Sequence, residues 1–132
     1  MNSSLPFAAL AILVGFGVTA DAKTLVGGPV FGGNGLVDSQ IACRFYNAGT
    51  SPVTFSAKVL TTNNSATLTK VFDNCTTLQS QKQCSLVYSF TANAALTCQA
   101  TVTATLGKPL VSGLVEISTE GGKFIKSAVP MN

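Results

Sequence analysis

The sequence contains no histidine, and this absence removes the commonest catalytic base. A serine–histidine or cysteine–histidine catalytic pair is therefore excluded. The sequence also has no C-x-x-C spacing, no calcium loop of the D-x-D-x-D-G type and no phosphate-binding glycine motif followed by a helix. We therefore predict no catalytic residues, no cofactor-binding residues and no metal ligands, which favours a non-enzymatic protein.

Acidic residues are also scarce, and this bears on glycoside cleavage, which needs two carboxyl groups. Beyond residue 22 the sequence has four candidates for such a pair, namely Asp38, Asp73, Glu116 and Glu120. Glu116 shares the outward row of its strand with Leu114 and Ser118, so we expect it to be a solvated surface charge. A glycosidase is therefore disfavoured.

Charged residues make up 10% of the 132 residues, with eight basic and five acidic side chains. The basic residues are spread along the chain and form no cluster, which argues against nucleic-acid binding. The surface polarity must come instead from threonine, serine, asparagine and glutamine. Such a surface is typical of an extracellular all-β domain.

No apolar run is long enough to cross a membrane. The run Leu5–Val18 spans about 14 residues, whereas a spanning helix needs ~20. The A-x-A pattern at Ala20–Ala22 follows it and is typical of a signal peptidase site. We therefore predict a signal peptide over residues 1–22, cleaved after Ala22, and a secreted or periplasmic protein with no membrane span in the mature chain.

Four cysteines, Cys43, Cys75, Cys84 and Cys98, lie in the predicted mature chain. An even number of cysteines in an exported domain indicates two disulfides. Cys43 and Cys98 each lie in the inward row of a predicted strand, which favours a bond between them. Cys75 and Cys84 would then close a ten-residue loop. The other two connectivities remain open at this stage.

The stretch Ile41–Leu60 predicts two strands joined by a turn, because apolar and polar residues alternate on both sides of Asn47–Pro52. In the second strand we expect Val53, Phe55, Ala57 and Val59 to share one face. In the first, Arg44 and Tyr46 share the outward face. These two residue types are enriched in binding hot spots, so they form a candidate contact patch. The alternative is ordinary cover of the sheet surface.

Similar alternation continues to the end of the sequence. We expect strands at Ala66–Phe72, Cys84–Phe90, Leu96–Leu106, Val111–Thr119 and Phe124–Val129, with Asp73–Gln83 as a loop and Pro130 ending the last strand. This gives seven or eight antiparallel strands and no helix in the mature chain. Short strands with frequent turns predict an all-β, immunoglobulin-like sandwich of two sheets over residues 37–132.

The segment 23–36 (KTLVGGPVFGGNGL) mixes five glycines with large apolar residues. One interpretation is an irregular first strand at a sheet edge. The other is a donor strand that pairs with a neighbouring molecule, since an unpaired edge is a template for strand addition. We favour packing on its own domain, because the chain from Lys23 to Gln40 is long enough to lie along the sheet.

Several short motifs lie along the chain, namely Asn47–Gly49 with Pro52–Val53, Asn74–Cys75 with Thr77–Leu78, Cys84 to Phe90, and Gly113–Ile117. Together they resemble the exported immunoglobulin-like domains of the ASPM–SPD-2–Hydin type and their small secreted bacterial relatives. The resemblance covers roughly residues 41–119. The chain departs from it at Gln79–Lys82, which replaces a Pro-Gly turn. The resemblance implies adhesion, scaffolding or assembly, and no functional residues are carried over.

The sequence as a whole predicts a small exported, non-enzymatic module that binds a protein partner or assembles with other proteins. One alternative is a pilus or fibre subunit, which would self-assemble through its N-terminal segment. Another is a secreted enzyme or inhibitor that displays the loop closed by Cys75 and Cys84.

Overall fold

The structure is a computed structural model that describes residues 20–32, 39–63, 66–91, 93–119 and 124–132. These residues form strands joined by turns and loops, with no helix among them. Most of the predicted signal peptide, the end of the glycine-rich segment and residues 120–123, between the last two predicted strands, lie outside the described residues. The strands are β1 (Ala22–Gly32), β2 (Ser39–Asn47), β3 (Val53–Thr62), β4 (Leu68–Asp73), β5 (Thr77–Leu78), β6 (Gln83–Phe90), β7 (Ala94–Ala104), β8 (Val111–Thr119) and β9 (Phe124–Met131).

The described residues therefore contain nine strands, and the predicted count of seven or eight is wrong. The strand missed by the prediction is β5, which lies inside the segment expected to be a loop. It has two residues and pairs with Val53 and Thr54 of β3. Two residues are too few to show a period of two, so no sequence pattern could reveal this strand.

The strands form two antiparallel sheets with the orders β1-β7-β3-β5 and β4-β6-β2-β8-β9. The consecutive strands β2 and β3 belong to different sheets, so the turn after Asn47 carries the chain from one sheet to the other. Buried apolar side chains from both sheets form one core. Across it the rings of Phe45 and Phe55 meet edge to face, with centroids 5.0 Å apart.

Two disulfides tie this core together. Cys43 of β2 is bonded to Cys98 of β7 and so joins the two sheets. Cys75 is bonded to Cys84 at the start of β6. These are the two pairs expected from the sequence. All four cysteines are at most 3% exposed, so the shorter loop is also anchored in the core.

The glycine-rich segment forms the edge strand β1, which pairs with β7 and buries Leu25 and Val30 in the core. The pairing is irregular between Gly27 and Val30, where Gly28 has a φ of +111° that favours glycine. Val26 also exchanges two backbone hydrogen bonds with Asn132, beyond β9. The expected irregular edge strand is thus present, packed on its own domain.

Two expectations about individual strands are wrong. The register of β3 shifts between Phe55 and Ala57, so a β-bulge moves the following residues to the opposite face. As a result, Val59 is 45% exposed while Leu60 packs against the core. In β9, Pro130 does not end the strand, since it pairs with Leu114. An edge strand tolerates proline because one side of its backbone has no strand partner.

Candidate contact surface on the five-stranded sheet

Arg44 and Tyr46 lie on the outer face of the five-stranded sheet, as their alternation with Cys43 and Phe45 predicts. Both residues are exposed, whereas Cys43 and Phe45 are buried. β2 is the central strand of this sheet, with β6 on one side and β8 on the other. The two side chains therefore lie on the central strand of the face, near the end at which β2 leads into the turn, with β6 and β8 on either side.

Arg44 is held by Glu116, which the sequence alone predicts to be a solvated surface charge. Its Nε donates to Oε2 of Glu116 on β8 over 2.5 Å, and its Nη1 lies 3.3 Å from Oγ of Ser85 on β6. The Arg44 side chain is 49% exposed and that of Glu116 only 10%. One side of the guanidinium group is thus fixed by the sheet while half of the side chain faces solvent.

The expectation that Glu116 is a solvated surface charge is therefore wrong. Its outward facing is correct, because it pairs with Ala42 of β2 and Ala128 of β9. The sheet extends on both sides of β8, however, and Arg44 covers the carboxylate. A sequence pattern gives the face of a strand, whereas exposure also depends on neighbours that are distant in sequence.

Tyr46 is oriented by a residue from the disulfide-closed loop. Its hydroxyl donates to Oε1 of Gln81 over 2.7 Å, and Nε2 of Gln81 donates to the carbonyl oxygen of Ala48 over 2.9 Å. Gln81 itself has a φ of +57°. Tyr46 is 41% exposed, so a partially exposed aromatic ring is fixed beside Arg44. We call Arg44, Tyr46, Gln81 and Ser85 the Arg44–Tyr46 surface.

The disulfide-closed loop is packed against the turn that follows β2. Leu78 is 2% exposed, and the Ser80 hydroxyl donates to the carbonyl oxygen of Gly49 over 2.7 Å. Asn47 is fully buried at this junction, and its Nδ2 donates to the carbonyl oxygens of Ser51 and Leu78. Sequence reasoning assigned Asn47 only to a turn, because its second partner, Leu78, is 31 residues away.

Lys58 and Asp73 form a second ion pair, at the side of the sandwich. Lys58 Nζ donates to both Asp73 oxygens, at 2.8 and 2.6 Å, and to the carbonyl oxygen of Cys75. Burial of the carboxyl group raises the pKa of Asp73, but hydrogen bonds from Lys58 and from the Cys75 N–H, with the charges of Lys58 and Lys70, outweigh it. The net effect lowers this pKa.

Other features of the described residues offer little chemistry. A depression of about 390 Å³ at one end of the sandwich is lined by uncharged residues, namely Phe31, Gly32, Asn63, Asn93, Ala94 and Ala95. In the part of the chain that the structure describes, no three histidine, cysteine, aspartate or glutamate residues are grouped as metal ligands. That same part contains no helix of the length and apolarity needed to cross a membrane.

Comparison of the chain with protein-family models, curated proteins and solved structures found no match.

Proposed function

We propose that this protein is a small exported, non-enzymatic module with an immunoglobulin-like β-sandwich that binds a protein partner in the periplasm or outside the cell. The observation that carries the proposal is the Arg44–Tyr46 surface. It presents an arginine and a tyrosine, both fixed by hydrogen bonds and both partly exposed, on the central strand of a sheet face. Rigid aromatic and arginine side chains lose little entropy on binding and dominate protein interfaces.

The two disulfides support the proposed location, since such bonds persist in oxidising compartments. The packing of β1 in its own sheet supports a self-contained module rather than a fibre subunit. In the described residues, Leu25 and Val30 of β1 already fill the core of their own domain. A donor strand would instead leave this place to the β1 of a neighbouring molecule.

Site-specific photo-cross-linking tests the proposal directly. A benzophenone amino acid placed at Tyr46 should cross-link one protein partner in the exported fraction of the source cells. The matched control is the same amino acid at Thr54, an exposed residue of β3 on the other sheet, where we expect no such product. Absence of a product at Tyr46, or equal products at both positions, would contradict the proposed surface.

A further inference from the structure

Two leucines are exposed on the loop of residues 105–110, which joins β7 to β8 at one end of the sandwich. Leu106 and Leu110 are 62% and 60% exposed. In the described residues they are the only large exposed apolar side chains that lie outside a strand. A Cβ added at Gly107, between them, would have no atom within 4 Å. The tip of this 105–110 loop therefore projects into solvent.

The base of the 105–110 loop is fixed to the turn that follows β2. The Thr105 N–H and hydroxyl both donate to the carbonyl oxygen of Pro52, at 3.2 and 3.1 Å. At the other end of the loop, the Ala48 N–H donates to the carbonyl oxygen of Leu110 over 2.8 Å, and Pro109 is buried. The leucines are thus presented by an ordered backbone, which has little entropy left to lose on binding.

The 105–110 loop also carries a positive charge. Lys108 lies between the two leucines and is exposed, and it lines a depression of about 240 Å³ together with Lys23 of β1. Lys23 Nζ donates to a neutral acceptor, the carbonyl oxygen of Val111, over 2.9 Å. The two ion pairs found among the described residues involve neither lysine. In that part of the chain, no carboxylate within 4 Å neutralises either charge.

Asp21 lines the same depression, but it belongs to the predicted signal peptide. Cleavage after Ala22 would remove this carboxylate and leave a new α-ammonium group on Lys23. The predicted mature chain would therefore be more basic at this end. The opposite end of the sandwich differs, because the described residues around its depression, including the exposed Phe31, are uncharged.

The residue types of the loop indicate what it contacts. Lysine is depleted at protein interfaces and leucine is under-represented among their hot spots, in contrast to the arginine and tyrosine of the Arg44–Tyr46 surface. At a bilayer surface, by contrast, leucine enters the boundary between headgroups and acyl chains, while lysine keeps its ammonium group among anionic headgroups. A second copy docked through the same loop would bring two Lys108 side chains together, which is unfavourable.

We propose that the 105–110 loop binds the surface of an anionic phospholipid bilayer. Leu106 and Leu110 enter the bilayer surface, and Lys108 and Lys23 contact the headgroups. Binding is weak and reversible, since even one myristoyl chain gives only marginal membrane attachment. This interaction goes beyond the protein partner proposed for the Arg44–Tyr46 surface and is tested without that partner.

The first test is co-sedimentation of the oxidised mature chain with vesicles. One set contains equal parts of phosphatidylglycerol and phosphatidylcholine, and the other contains phosphatidylcholine alone. We expect binding to the anionic vesicles and, because the lysines lose their partners, binding weaker by roughly tenfold or more to the neutral ones. Lys108→Gln should weaken binding to the anionic vesicles by about fivefold.

The leucines are tested by a matched pair of double variants. Leu106→Ser/Leu110→Ser should weaken binding to anionic vesicles by roughly tenfold or more, because two apolar side chains no longer leave water. The control is Val59→Ser/Phe72→Ser, which removes two side chains that are 45% and 50% exposed on strands. It should leave binding unchanged, and urea unfolding should confirm that both variants are folded.

Fluorescence provides a second, independent measurement, because the chain contains no tryptophan. Leu106→Trp should show a blue shift of its emission when anionic vesicles are added, since its indole ring leaves water. Phe72→Trp is the control on β4 and should show no shift.

Absence of binding to anionic vesicles would overturn the inference, as would equal binding to both kinds of vesicle. Equal losses in the two double variants, or no blue shift at position 106, would also overturn it. Light scattering identifies the other occupant. A dimer that Leu106→Ser/Leu110→Ser abolishes, in a protein that ignores vesicles, would overturn the inference in favour of contact between two copies.

Discussion

Asp73 links the pH of the solution to the contact between the two sheets. It lies at the end of β4 in the five-stranded sheet, and its partner Lys58 lies on β3 of the four-stranded sheet. The carboxylate also accepts a hydrogen bond from the Cys75 N–H over 3.0 Å. Both contacts are stronger with the ionised form of the carboxyl group, because a carboxylate is the better acceptor and carries the charge that attracts Lys58. The pKa of Asp73 is lowered in the folded protein for this reason, and protonation weakens a contact between the two sheets.

The sign of the pH effect follows from this lowered pKa. A carboxyl group that binds its proton less readily in the folded state stabilises the fold above its unfolded pKa, and this contribution is lost as the pH falls through the folded pKa. We therefore expect Asp73→Asn to lower the free energy of unfolding at about pH 7 and to have little effect at about pH 2. Urea unfolding curves across this range measure the difference.

Lys58→Gln is the control for this pH effect. It removes the main partner of the carboxylate while retaining the carboxyl group itself. In the Lys58→Gln variant, Asp73→Asn should lower the free energy of unfolding by less, and this loss should depend less on pH. Asp73→Asn could instead lower the free energy of unfolding equally with Lys58 or Gln at position 58, and at every pH. That result would show that Asp73 acts through its shape rather than its charge.

Residues differ in how far their roles can be predicted from sequence. Alternation was enough to place Arg44 and Tyr46 on one outward face, because facing depends on immediate neighbours in the chain. Their partners Glu116 and Gln81 are 72 and 35 residues away. Those contacts depend on which strands become neighbours, and no local pattern carries that information.

At the scale of elements, β1 is the strand that distinguishes a self-contained module from a fibre subunit. In a module it packs on its own domain, and in a fibre it would pair with a neighbouring molecule. Its two faces are unequal, since Leu25 is fully buried and Val26 is 44% exposed. The strand is also closely fitted. A Cβ added at Gly27 would come within 2.4 Å of Met131 Cγ and 2.6 Å of Val115 Cγ2. Such close packing indicates that β1 is an integral part of this domain.

The two faces of β1 supply a matched pair of substitutions. Leu25→Ala should destabilise the isolated mature protein by about 2–5 kcal/mol, because it removes a fully buried side chain. Val26→Ala changes an exposed neighbour in the same strand and should stay within about 0.5 kcal/mol. Urea unfolding midpoints of the two variants and the unaltered protein, measured at low protein concentration, provide the comparison. Equal, small effects would mean that β1 does not pack on its own domain in solution.

The elements themselves were predictable to different degrees. β8 matches the expected range Val111–Thr119, and β6 and β7 differ from expectation by two residues or fewer at each end, because their alternation is regular. β3 was found, but the bulge at Ser56 reversed the facing beyond it. A bulge inserts one residue without a distinctive sequence signal. The alternation of side chains read from the sequence therefore assigns the wrong face to every residue beyond the bulge.

At the scale of the whole molecule, the disulfides differ in what they connect. Cys43–Cys98 joins strands of different sheets and spans 55 residues, whereas Cys75–Cys84 spans nine. Both pairs are buried, so replacement by alanine removes core volume in each case. In the chain-entropy model, the longer loop contributes ~4 kcal/mol and the shorter one ~3 kcal/mol.

We therefore expect the variant Cys43→Ala/Cys98→Ala to lose more stability than the variant Cys75→Ala/Cys84→Ala. The difference should be about 1.5 kcal/mol from loop closure alone. Urea midpoints of both double variants and the unaltered protein provide the comparison. The reverse order would show that the anchoring of β5 and the Asn47 turn matters more than the link between sheets.

The Cys43–Cys98 bond also determines how the folded chain would carry mechanical load. Tension applied at Lys23 and Asn132 would follow the covalent path through this bond and bypass the span of 55 residues that the bond closes. Only the segments outside that span could be drawn out, so about 190 Å of potential extension would stay locked until the bond is reduced. Pulled from its ends, the oxidised domain would yield a short, defined length and then resist as a covalent tether.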